Sequence, residues 1–326
     1  MPILYRTNCH EKSLVFAAFD PFVHPEKIEG IIIGNDLDSL LSAALLKTRF
    51  GWDVVGFYDY TSIWSRTFGM PDFVGNLLSG KYVAVDLDIF HPAIPSIGHH
   101  ILEFQPDESG KGFPEQQYSL NPNFIRGIDL MTYRRKYPLG TIHFLSWLLG
   151  IEPVTDEAEL LMWLADSSFI NGQRFNPNVS EWIGGFFHSA GFQKVFQEVD
   201  TLAFETQLRN RILSKLEKIV GRTQNGQTRS RHLNITGFQC KWQDANAERE
   251  TIGKVLEFIR EITGWKTPNL PRQFRRITGK RISCRIDEIR KSFSSLESFL
   301  RKRSVFSYVI PSQRTLNYTI HLVLEK

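Results

Sequence analysis

Short apolar runs rich in β-branched residues alternate with segments of helical spacing through the first hundred residues. This alternation limits the fold more than any other feature of the chain. IEGIIIG (28–34) is such a run, ends in glycine and predicts a buried strand. SLLSAALLKTRF (39–50) follows with helical spacing and strong helix formers. DVVGFYDY (53–60) predicts the next strand, a short helix near 71–78 comes after it, and KYVAVDLDIF (81–90) predicts a third strand. HHILEF (99–104) is a fourth candidate. Strand and helix in turn imply a parallel α/β sheet with right-handed crossovers.

Residues 105–137, rich in Pro, Gly, Asn and Gln, predict an irregular connection. Helical patterns follow at 139–149, 156–166 and about 179–198, then a longer one at about 200–220 that reads as a bridge between domains. A polar loop (221–231) leads to HLNITGFQCKW (232–242), which alternates like a half-buried strand. A helix is expected at 246–263, a strand at 279–286 and a basic amphipathic helix at 287–302. VFSYVIP and LNYTIHLVLE flank the turn SQRT and predict a terminal hairpin. The expected architecture is an α/β parallel-sheet domain (1–199), a helical linker (200–231) and a smaller basic α+β domain (232–326). A length of 326 residues suits two domains.

With 42% apolar and 23% charged residues the chain can bury a sizeable core, so disorder is excluded as its main theme. No apolar run reaches the roughly 18 residues a spanning helix needs, and the N-terminus MPILYRTNCHEKSLVF lacks the pattern of a signal peptide. Cys9, Cys240 and Cys284 fit neither a disulfide framework nor a CxxC metal site. A reducing, cytoplasmic setting and no membrane partner are therefore expected. Charge is split unevenly. Residues 1–204 carry 14 Lys+Arg against 24 Asp+Glu, and residues 205–326 carry 25 against 11, so net charges of −10 and +14 combine to +4. A basic module attracts polyanions; the bland alternative is that it docks on the acidic half.

Four polar features fall at the ends of apolar elements. Asp36 and Asp38 follow the first strand, where two carboxylates can converge on one cation. Asp38 could equally be the N-cap of the next helix, whereas Asp36 has no such reading and points to metal. Asp86 and Asp88 close another strand and share one face. His99 and His100 precede a further apolar run, and Asp166 ends the 156–166 helix. Taken alone, Asp166 reads as a helix-end residue and the histidine pair as surface. Oxygen-rich sites with one or two imidazoles suit Mn²⁺ or Mg²⁺. Such ions activate water and stabilise in-line displacement at phosphorus.

In order and spacing these motifs resemble the DHH phosphoesterases, a group that includes RecJ-type exonucleases, oligoribonucleases, cyclic-dinucleotide phosphodiesterases and exopolyphosphatases. The resemblance covers about residues 28–175. GNDLDSLLSAALL (34–46), VAVDLD (83–88), GHH (98–100), PLGTIHFLSWLLG (138–150) and LADSSF (164–169) carry it. It implies Asp36, Asp38, Asp86, His99 and Asp166 as metal ligands, with Asp86 bridging. It places His100 beside the scissile phosphate and Thr141 near substrate. Two positions depart from the family pattern. Gly34 stands where a ligand is expected and Gly98 where the triplet's aspartate is expected. The first removes a metal ligand and the second a carboxylate that supports the histidines. The family's GGGH-like substrate loop is absent from 205–326.

The basic half therefore stands on its own residues. Arg272, Arg275, Arg276, Lys280, Arg281 and Arg285 crowd around Phe274, with Trp265 just before. Arginines interleaved with aromatics suit a phosphate backbone with stacked bases. Arg301, Lys302 and Arg303 sit at a helix end, where the helix dipole explains them. Trp242, Phe258, Phe293, His143, Met162 and Trp163 fall on apolar faces and read as packing. The expectation is a Mn²⁺- or Mg²⁺-dependent phosphodiesterase acting on nucleic acid, nucleotide or polyphosphate; homo-oligomerisation is left open. The alternative is a DHH-fold scaffold with lost chemistry that binds nucleic acid or a protein. A haloacid-dehalogenase-type reading of Asp86-Leu87-Asp88 ranks lower, because Ile89-Phe90 replaces the expected Gly-Thr.

Overall fold

The computed structural model describes residues 11–67, 70–102, 119–197, 200–221, 228–240 and 242–320. The chain forms two compact units interleaved in sequence. One comprises Met1–Gly34, Trp52–Lys136 and Leu270–Lys326, the other Asn35–Gly51 and Tyr137–Asn269. These bounds cut across the sequence-based boundaries at 199 and 231.

The first unit is built on a seven-stranded sheet. Its strands are β1 (Gly30–Ile33), β2 (Val54–Tyr58), β3 (Ser62–Arg66), β4 (Tyr82–Val85), β5 (Ser96–Ile97), β6 (Ser119–Leu120) and β7 (Phe274–Thr278). They lie in the order β6-β5-β4-β1-β2-β3-β7. Neighbours from β6 to β2 are parallel, and β3 and β7 are added antiparallel. The mixed α/β class is as expected. GIII, VVGFY and YVAV are buried at every position, which is why they read as unbroken apolar runs. The short helix near 71–78 is present as Met70–Leu78.

The fourth strand departs from expectation. It is Ser96–Ile97, ahead of the histidines, and His99–Leu102 is irregular; residues 103 and 104 lie outside the described residues. Here the backbone bonds mainly to side chains, and the His100 carbonyl also accepts from the Ile310 N–H at 3.4 Å. Asp88 accepts from the His100 N–H at 2.8 Å, and Asn123 donates to the His99 carbonyl at 2.8 Å.

The C-terminal basic segment is divided between two sheets. β7 pairs with β3, with Ser65 opposite Arg275. After Gly279, β8 (Lys280–Arg285) enters a three-stranded antiparallel sheet with β9 (Ser307–Ser312) and β10 (Thr315–Ile320), in the order β8-β10-β9. The expected hairpin is therefore present as far as Ile320; residues 321–325 of its predicted second strand lie outside the described residues. The expected 287–302 helix is two helices, Ile286–Ser292 and Leu296–Lys302. Ser295 breaks it by forming a reciprocal capping box with Ser298.

The second unit is helical. Leu37–Phe50 packs against Thr141–Leu149, and Asp156–Leu164 is capped by Thr155. The single helix expected at 179–198 is interrupted at His188 (φ +48°), between a π-helical stretch (Glu181–Phe187) and Ala190–Gln197. Residues 201–220 are continuous, with π-helical turns over Leu208–Leu213. This segment belongs to the helical unit and buries Phe204, Leu208, Ile212 and Leu216. Among the described residues the strand expected at 232–242 is absent, residue 241 lies outside them, and a bridge joins Arg229 and Thr236. The buried Glu205 carboxylate gathers this stretch by accepting from Ser230 Oγ (2.8 Å) and the Leu233 N–H (2.7 Å). Trp242, Phe258, His143, Met162 and Trp163 are buried as expected, and Phe293 is half-buried edge-on to Phe299.

Among the described residues no helix is long and apolar enough to cross a membrane.

Candidate metal centre

β4 ends at Val85, and Asp86 turns the chain with φ +58°, in the left-handed region. A non-glycine residue held there costs free energy, and such residues gather at functional sites. Asp86 is buried, with its Oδ1 at 3.7 Å from His99 Nδ1. The rings of His99 and His100 lie 3.9 Å apart between centroids. Asp86, His99 and His100 each offer a ligand atom, and these atoms all lie within 4.8 Å of one another. One carboxylate and two imidazoles at that spacing can share a divalent ion.

The histidine turn is held from behind. Besides the bonds from Asp88 and Asn123, Lys136 Nζ donates to the His100 carbonyl at 3.2 Å. Asp88 also accepts from Asn121 Nδ2 at 2.9 Å. Burial pushes the Asp88 carboxyl up to about 6, against the pull of the His100 N–H, Asn121, Lys136 and Ser119. Asn121, Asn123 and Lys136 are the supporting residues that sequence reasoning missed. The only signal was the Asn-Pro-Asn run, which reads as turn chemistry.

The second unit carries the other three carboxylates. Here the structure reverses the capping assignment. Asp36 is the N-cap of Leu37–Phe50, accepting from the Ser39 N–H (3.1 Å) and hydroxyl (2.9 Å). Asp38 is not the cap. It is buried and accepts from the N–H groups of Thr141 (2.6 Å) and Ile142 (2.8 Å) at the start of the next helix. Its carboxyl is raised well above the usual range by burial, then by the charges of Asp166 and Asp36, while the two N–H groups pull the other way. Like charges at a buried position favour either a proton or a cation. Asp166 and Ser167 both adopt left-handed backbone (φ +48° and +57°) at the kink after Leu164. Gly237 fits against this kink because it lacks a Cβ, which would overlap the Ser167 side chain. Gly237→Ala should thus cost ~1–3 kcal/mol by overpacking, measured as a shift in the urea midpoint.

The basic residues are less uniform than their sequence cluster suggests. Arg272 and Arg275 are exposed. The Arg276 guanidinium lies over Trp64 at 5.2 Å, and its Nε donates to Ser62 Oγ at 2.9 Å. Arg281 lies over Tyr60 at 5.1 Å and donates to the Tyr60 carbonyl at 3.1 Å. Tyr60 in turn meets the His100 ring edge-on at 6.4 Å, so the Arg281 side chain and the His100 ring both border Tyr60. Thr141 is buried, its N–H committed to Asp38. No family model, curated protein or solved structure matches the chain.

Proposed function

We propose that the chain is a divalent-metal-dependent phosphodiesterase of the DHH type, acting on nucleic acid, oligonucleotide or another phosphodiester or phosphoanhydride with Mn²⁺ or Mg²⁺. The observation that carries this reading is the cluster of Asp86, His99 and His100 ligand atoms on a turn fixed by Asp88, Asn123 and Lys136. A divalent ion there would lower the pKa of a bound water and polarise a phosphoryl oxygen. Asp86 and His99, both buried, would hold the ion, and the half-exposed His100 would face the phosphate. Arg281, stacked on Tyr60 next to His100, would contact the substrate backbone. Exposed Arg272, Arg275 and Lys280 would draw a polyanion toward it. Asp36, Asp38 and Asp166 are the further carboxylates this reading assigns to metal.

Metal-stripped protein titrated with Mn²⁺ in a calorimeter should bind it. With Mn²⁺ added it should cleave at least one of a short oligonucleotide, a cyclic dinucleotide and polyphosphate. Binding of Mn²⁺ that survives Asp86→Asn unchanged would overturn the proposal. A scaffold is the second reading, favoured because Asp36 and Asp38 already serve helix N-termini. It expects salt-dependent oligonucleotide binding without cleavage of any of the three.

The basic strands make a separate expectation. Arg275→Glu together with Lys280→Glu should weaken oligonucleotide binding about tenfold or more at 50 mM salt. The loss should shrink as salt rises, because exposed charges act through screened, counterion-releasing contacts. Fluorescence anisotropy across a salt series measures it.

A further inference from the structure

The space beside Gly98 is filled by a carboxylate that comes from elsewhere in the chain. A Cβ built on Gly98 would lie 2.6 Å from Cγ, Oδ1 and Oδ2 of Asp88 alike, so it would overlap that carboxylate. Gly98 has no left-handed φ. Its lack of a side chain therefore answers to space alone. Asp88 is fully buried and accepts from the His100 N–H (2.8 Å), Asn121 Nδ2 (2.9 Å) and Ser119 Oγ (3.4 Å). It approaches the histidine pair from the chain just past β4, two residues beyond Asp86.

We infer that Asp88 is a positioning residue that supplies, from the end of β4, the anionic support that a side chain at position 98 would otherwise give the His99–His100 turn. On this account Gly98 is no erosion of the site. The two positions are a coupled pair in which one carboxylate occupies one space, and a second cannot enter. The role in metal binding rests on the phosphodiesterase reading; the role in fixing the turn does not. A merely structural Asp88 would be sensitive to its own loss but indifferent to whether an acid returned at position 98.

The experiment moves the carboxylate. Asp88→Gly, Gly98→Asp, the double variant and the conservative Asp88→Asn are compared, each checked for folding by circular dichroism. Two quantities are read: the His99 and His100 ring resonances of the metal-free protein by NMR, and the Mn²⁺ dissociation constant. Each single substitution should displace the ring resonances and weaken Mn²⁺ binding 10–100-fold. Asp88→Gly removes the support, and Gly98→Asp forces two carboxylates into one place. The double variant should recover both to within about threefold of the parent, a strong non-additivity. A double variant no better than the worse single would overturn the inference. So would Asp88→Asn with unmoved resonances, and that arm holds even if a glycine variant does not fold. If the parent binds no Mn²⁺, the metal reading fails by itself, while the ring resonances still decide the role of Asp88.

Discussion

On the proposed reading, Asp86→Ala and His99→Ala should each reduce Mn²⁺-stimulated phosphodiester hydrolysis by at least ~100-fold, since loss of a direct ligand should exceed the 10–100-fold typical of outer contacts. Both side chains are buried, and Asp86 is held in left-handed backbone that an alanine tolerates less well. Any effect on folding would mask the chemistry, so Asp86→Asn is the control: it keeps shape and backbone preference and removes the charge. It should melt near the parent temperature and still bind Mn²⁺ at least tenfold more weakly. Steady-state rates with metal in excess, paired with thermal melts, test this. Residual activity above a tenth of the parent's in His99→Ala would remove the histidine from the centre.

Glu205→Ala should destabilise the protein by about 3 kcal/mol. The carboxylate is fully buried and accepts from Gln173 Nε2 (2.7 Å), Ser230 Oγ, the Leu233 N–H and, at 3.2 Å, the His232 N–H. Hydrogen bonds to a charged group contribute more than neutral ones, and truncation leaves buried donors such as Ser230 unmet. The effect has a pH signature. Burial alone would raise the Glu205 carboxyl, but Gln173, the Leu233 N–H, Ser230 and the His232 N–H outweigh it and hold the group below its usual range. A depressed folded value means the stabilisation is present above the unfolded value, roughly 4.3, and is lost as pH falls through the folded one. Urea unfolding should therefore show the parent losing stability on acidification below about pH 4, with a flatter profile for Glu205→Gln. Equal slopes for the two would refute the assignment.

What could be read in advance follows from how far each element depends on distant partners. β1, β2 and β4 are buried on both faces, so their apolar runs were visible without knowing their neighbours. β5 has two residues, and the turn after it is organised by Asp88, Asn121 and Asn123, whose bonds leave no periodic trace. Between Asp36 and Asp38 the cap was decided by Ser39, three residues on from Asp36 and offering both N–H and hydroxyl. Alternation at 232–242 mimicked a strand because the clamp that shapes it, Glu205, comes from a distant helix. Asp86, His99 and His100 were legible as candidates from their place at strand ends, and the structure brings those three together. The arginines were visible as a cluster, but not that Arg276 and Arg281 lie over the rings of Trp64 and Tyr60.

The pairing of β3 with β7 also bears on synthesis. Thr67 hydrogen-bonds to the Gln273 carbonyl across a sequence separation of 206 residues. A ribosome adding roughly 5–20 residues per second needs on the order of ten to forty seconds to supply that partner. Throughout that interval the outer edge of β3, Ser62–Arg66, has backbone groups with no strand to satisfy them, the geometry that invites pairing with a neighbouring nascent chain. Polypeptides truncated before residue 270 should inherit this hazard permanently and come out of cells as aggregates, with chaperones the natural holders of the unfinished edge.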